Sequence, residues 1–189
     1  MGERNGNGNG RHVLRGMLAG AGAGLAASWV MNVFAAGPGR KLQESLRSGE
    51  DRLRDHLQQM DEQEYGGTKL EQDATMKAAD ALVSAATGGR HLSMEERQKA
   101  GPVVHYGFGA LVGGLYGGLA EYSETVKKGC GTAFGGALFA GADLIAAPAL
   151  RLSPPLAQTR PKSLANPLAT HLVYGATTEL LRRAFRALL

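Results

Sequence analysis

Hydrophobic and polar positions fall into long blocks rather than short alternations. Gly16 to Gly39 holds no charged residue, and Ala100 to Ala120 none apart from His105. Gly129 to Leu150 holds only Asp143, and Ser163 to Thr178 only His171, before Glu179 and a basic end at Arg182, Arg183 and Arg186. A hydrocarbon core of about 30 Å takes roughly 20 helical residues, and three of these windows reach that length. The last is shorter, but its Leu and aromatic residues continue past Glu179, and arginines near a helix end reach back to the interface. The pattern predicts an all-α, four-transmembrane-helix protein with spans at about 14–37, 101–121, 129–149 and 166–187.

The stretch 40–99 between the first two spans is polar, with 10 of the 21 basic and 12 of the 17 acidic residues. Leu42, Leu46, Leu53, Leu57 and Met60 recur at helical steps, which predicts an amphipathic helix broken near Ser48-Gly49. Thr68 to Thr87 reads as a second helix with Leu70, Ala74, Ala78, Leu82 and Ala86 on its buried stripe and a stop at Gly88-Gly89. Ser93-Met94-Glu95-Glu96 is a capping box, so a helix is expected to begin at Met94 and to bend at Pro102. Pro154, Pro155, Pro161 and Pro167 make 152–167 an extended connection, and the Asn-Gly repeats of 1–10 read as a flexible tail. Arg11 and Arg15 precede the first window in the manner of a signal peptide. Its apolar run is longer than an h-region, so it reads as a retained helix.

The windows are rich in Gly and Ala rather than Leu. The chain has 28 Gly in 189 residues, about twice the usual share of roughly 7%. In lipid a helix is forced, because the backbone has no other way to satisfy its polar groups. Small residues recur every fourth position at Gly16, Gly20, Gly24 and Ser28, at Gly109, Gly113 and Gly117, and at Gly131 and Gly135. Such rows let membrane helices approach closely, and Gly20, Gly24, Gly109, Gly113 and Gly117 are the expected packing positions. A soluble domain with glycine-rich buried helices is the alternative.

Four polar residues interrupt the windows at similar depth. His105 lies one turn after Pro102, His171 one turn after Pro167, Asp143 five residues before Pro148 and Asn32 six before Pro38. With alternating helix directions all four fall on the face that carries the long loop, in one layer. Polar groups inside a membrane are costly and therefore informative. Asn32, His105, Asp143 and His171 form a candidate intramembrane network. It would fix helix register, relay protons through the two histidines, or supply two His and one Asp to a metal. His105-Tyr106-Gly107-Phe108-Gly109-Ala110 and His171-Leu172-Val173-Tyr174-Gly175-Ala176 also share a pattern, as in parallel repeats.

Charge and composition add exclusions. A net charge of +4 spread along the chain does not point to nucleic acid, and the single Cys130 rules out a disulfide framework. Cys130 reads as a buried, inert thiol, and His56 and His91 as solvated loop residues. No phosphate-binding loop, dinucleotide fingerprint, nucleophile elbow or paired-carboxylate motif occurs, so no enzyme activity, metal or cofactor is expected. The expected partners are the lipid bilayer and a second copy or a membrane complex.

The glycine-rich first window Gly16–Pro38, the segment His105-Tyr106-Gly107-Phe108-Gly109 with Leu115-Tyr116-Gly117, and the segment His171-Leu172-Val173-Tyr174-Gly175 together resemble the YagU family of bacterial inner-membrane proteins. The resemblance covers the membrane helices, about half of the chain. It implies an inner-membrane location and, through the family's best-known member, a link to acid resistance, and it supplies no catalytic residues.

Overall fold

A computed structural model describes residues 6–49, 53, 74–155, 157 and 159–189. Among them every regular element is a helix, with no strand. Helix α1 (Gly6–Phe34) passes through a π-turn (Ala35–Gly39) into α2 (Arg40–Leu46). Helix α3 (Ala74–Thr87) precedes α4 (Met94–Ala120). A turn (Thr125–Gly131) leads to α5 (Thr132–Leu138), a π-helical stretch (Phe139–Ala146) and α6 (Ala147–Ala149). The last helix is α7 (Ala165–Leu188). Helix α1 lies between α4 and α7, α5 lies on α7, and α3 lies on the start of α4.

The arrangement is inside-out by the standard of a water-soluble bundle. On α1 the buried residues are Ala19, Ala23, Ala27 and Ser28, while Leu14, Leu18, Leu25, Trp29 and Val33 face outward. On α4 Gly109, Gly113 and Gly117 are buried, and Leu111, Leu115 and Leu119 are exposed. Three helical stretches, Gly10–Leu46, Met94–Ala120 and Thr125–Ala149, are long and apolar enough to cross a membrane. Helix α7, expected as a fourth span, is not among them, because Asn166, His171, Glu179 and Arg182 lower its hydropathy.

Several local expectations are corrected. Helix α1 starts at Gly6, within the stretch read as a tail, since extending an existing helix is far cheaper than nucleating one. The first rod does not stop at Pro38. The wide π-turn absorbs the missing N–H, and the helix runs on to Leu46 before breaking at Arg47. Leu42, Leu46 and Leu53 are exposed; Leu57 and Met60 lie outside the described residues. Cys130 is exposed, with φ of 52°, in a turn where Gly129 and Gly131 also take positive φ.

The capping box forms as the sequence predicts. Ser93 Oγ accepts from the Glu96 N–H at 3.3 Å, and Glu96 Oε2 accepts from the Ser93 N–H at 2.8 Å. Helix α4 then runs unbroken through Pro102. The buried face of α3 is rotated from the predicted stripe. Ala79 is buried while Leu82 is exposed. The reason is Gly101 of α4, where an added Cβ would stand 3.1 Å from Met76 and 3.2 Å from Thr75, so this face of α3 comes closest.

Asp80 fixes that docking. Its carboxylate accepts from the Leu92 N–H at 2.6 Å, meets His91 Nδ1 at 3.0 Å and pairs with Arg97 at 3.0 Å. His91 is therefore paired despite its exposure. The Leu92 N–H, followed by the His91 bond and the Arg97 charge, holds the Asp80 carboxyl below the ordinary carboxylate range. A depressed folded-state value means the tie is at full strength above about pH 4, the unfolded value, and fades as pH falls through the lower folded value. Protection of the amides across 74–87, taken relative to the intrinsic exchange rate at each pH, is therefore expected to fall on acidification below that point. Asp80→Asn is expected to show the lower protection at every pH. Protection that does not change with pH in the parent protein would contradict this account.

Candidate functional site

The helices meet along two antiparallel glycine rows. In the first, α1 and α4 are so close that a Cβ added at Gly113 would lie 2.5 Å from the Gly20 carbonyl oxygen and 2.8 Å from Gly24 Cα. One at Gly117 would lie 2.9 Å from Gly20 Cα, and at Gly109 an added Cβ would collide with Ser28 Oγ. In the second row, a Cβ at Gly175 would lie 2.9 Å from Gly135 Cα, and one at Gly135 3.1 Å from Leu172 Cα. Real Cβ atoms do not approach that closely, so only glycine permits this spacing. Tyr174 crosses between the rows and donates its hydroxyl to the Gly109 carbonyl at 2.6 Å. Phe134 stacks on Tyr116 at 4.3 Å between ring centroids and joins α5 to α4.

Of the four polar residues of the predicted layer, only His171 and Asp143 approach one another. His171 Nδ1 stands 3.6 Å from Asp143 Oδ2 and 2.9 Å from the Pro167 carbonyl. A carbonyl oxygen only accepts, so Nδ1 carries a proton toward Pro167, and Asp143 lies beside that bond. Asn32 instead donates to the Tyr106 hydroxyl at 3.3 Å. His105 Nε2 is buried without a hydrogen-bond partner among the described residues. No group of three His, Cys, Asp or Glu side chains converges as metal ligands among those residues, so the two-His, one-Asp set does not assemble. The single network expected from depth alone does not form. Depth along a helix fixes the layer and leaves open which way each side chain points.

The opposite end, where α1 begins and α7 ends, holds the strongest polar cluster, and the sequence reading missed it. Glu179 is fully buried (0% exposed). It accepts from Tyr116 Oη at 2.8 Å, from Arg182 Nε at 2.7 Å and Nη2 at 3.0 Å, and from Arg183 Nε at 2.6 Å. Arg186 pairs with Glu121 at 2.9 Å and approaches His12 Nδ1 at 3.2 Å. A charge taken out of water is tolerable only when its lone pairs are met by donors, as here. The legible signal was the spacing of Glu179 with Arg182 and Arg183, three and four residues apart on one helix face. Above this cluster lies a shallow, open pocket of about 430 Å³, lined by Ala120, Glu121, Glu124, Lys127, Arg182, Arg183 and Arg186.

A family model for proteins of unknown function (DUF1440) matches residues 84–180, which is more than half of the chain. The chain belongs to that family. The DUF1440 segment takes in the end of α3, all of α4 to α6 and α7 as far as Leu180, so it contains Asp143, His171, Glu179 and the second glycine row. It leaves α1 outside, with the glycines that complete the first row. No curated protein and no solved structure matches the chain. The DUF1440 description carries no activity.

Proposed function

We propose that this chain is a small multi-pass protein of a bacterial inner membrane, with α7 as a fourth span, acting as a non-enzymatic accessory module. The observation that carries this reading is the reversed polarity of the bundle: Gly, Ala, Ser and paired charges inside, Leu, Val and Trp outside. In water the exposed apolar surface would be an aggregation hazard; in lipid it is the expected exterior. Helix α7 supports a fourth span because its interior charges are compensated, Glu179 by Arg182 and Arg183, while Arg186 near its end pairs with Glu121. The resemblance to the YagU family supports the inner-membrane location and a role under acid stress. The outward-facing surfaces suit the bilayer and a second copy or a larger membrane complex.

Membranes from cells expressing the chain are expected to retain it through alkaline carbonate and release it only to detergent. Purification without detergent as a monodisperse species would instead favour a soluble helical interaction domain. A second reading, proton or ion handling at the loop end, is favoured by the His171–Asp143 approach at 3.6 Å. Liposomes carrying the protein are then expected to show a proton flux that Asp143→Asn removes. Equal flux from both proteins would end that reading.

A further inference from the structure

We propose that the pocket at this end binds a phosphate group, presented by the headgroup of an anionic phospholipid or by a free phosphate compound. Its walls bring together Arg182, Arg183, Arg186 and Lys127 from α7 and the turn after α4, against Glu121 and Glu124. These cations are not equivalent. Arg182 is locked on Glu179, and Arg186 on Glu121, where they build the floor. Arg183 gives only its Nε to Glu179, and its side chain is 55% exposed, which leaves the outer edge of its fork toward the opening. Lys127 pairs with Glu124, a carboxylate almost wholly in solvent and free to swing aside. An anion entering here meets one planar fork and one ammonium above a floor of paired charges, and these two donors suit a phosphate's several acceptor oxygens.

Size and place agree with this chemistry. The volume of about 430 Å³ holds on the order of a dozen waters, room for a phosphate with a small polar substituent. The pocket lies where α4 ends and α1 begins its buried run, since Gly16 sits against Glu121. The same end carries Arg11, Arg15 and Lys128. Lys and Arg at a membrane surface lie next to the headgroups and attract anionic ones. The lipid source rests on the membrane reading given above; the phosphate chemistry does not.

The full chain in neutral detergent would be titrated with micelles containing phosphatidylglycerol, with micelles containing phosphatidylcholine, and with inorganic phosphate alone. Lys127→Gln combined with Arg183→Gln removes the two outer donors and keeps the Arg182–Glu179 and Arg186–Glu121 pairs; the loss of the Arg183 bond to Glu179 is expected to lower the thermal midpoint, so affinities are compared at a temperature where both proteins are shown to be folded. Phosphatidylglycerol, or inorganic phosphate, is expected to bind the parent protein and to lose about tenfold in affinity in that variant, about 1.4 kcal/mol. Arg11→Gln, an exposed cation at the same end, is expected to change it less than about twofold. Binding of phosphatidylglycerol without response to inorganic phosphate assigns the site to a lipid; binding of both assigns it to free phosphate. Unchanged affinity in the double variant, an equal loss in Arg11→Gln, or no binding of either probe overturns the proposal. Carbonate extraction reports separately on membrane residence.

Discussion

Gly113→Ala is expected to lower the thermal midpoint of the detergent-solubilised protein, whereas Gly107→Ala in the same helix leaves it unchanged or raises it. Both substitutions bring the same gain in helix preference, about 1 kcal/mol in water. They differ in what the new methyl meets. At Gly107 nothing lies within 4 Å. At Gly113 the methyl would stand 2.5 Å from the Gly20 carbonyl oxygen and 2.8 Å from Gly24 Cα, both backbone atoms with no rotamer to escape into. The two helices must therefore separate, and overpacking of this kind costs about 1–3 kcal/mol. Gly113→Leu is expected to abolish the folded species altogether. Equal midpoints for Gly107→Ala and Gly113→Ala would show that the rows do not hold the bundle together.

The second large effect is expected at Glu179. Glu179→Leu strands Arg182, whose side chain is only 6% exposed, and removing one partner of a buried pair costs about 3–5 kcal/mol. The loss falls toward the lower end, because Glu121 Oε1 lies 3.9 Å from Arg182 Nη1 and accepts part of the orphaned charge. Replacing both partners, Glu179→Leu with Arg182→Leu, removes the desolvated charges as well as their attraction. The double variant is then expected to be more stable than Glu179→Leu alone, measured as chemical unfolding in one detergent. A double variant as unstable as the sum of the two single ones would mean that Arg182 and Glu179 act independently.

The all-helical architecture and the close glycine rows follow from features plain in the sequence: missing charge over twenty-residue windows and small residues at every fourth position. Ser93 and Glu96 likewise announce the start of α4, because a capping box is local chemistry. What was not legible depends on rotation about a helix axis and on partners distant in sequence. Asn32 and Asp143 share a depth but meet different neighbours, Tyr106 and His171. Leu82 lies on the apparent stripe of α3, yet the helix turns Ala79 inward to reach Gly101 and to bring Asp80 onto the Leu92 N–H. Pro38 looks like a stop, and a single widened turn carries the helix past it. Glu179 precedes basic residues whose pattern reads as a snorkelling end, whereas its burial depends on Tyr116, distant in sequence, closing over it with Arg182.

The first glycine row joins partners that leave the ribosome far apart in time. Gly20 and Gly24 emerge before the whole Arg40–Lys99 stretch, and Gly113 only after it. Helix α1 therefore waits through the synthesis of that stretch with its grooved side uncovered, whereas Gly131 and Gly135 find Gly175 after a much shorter delay. Assembly is ordered by translation, and the longest wait falls on the helix that ends up between two neighbours.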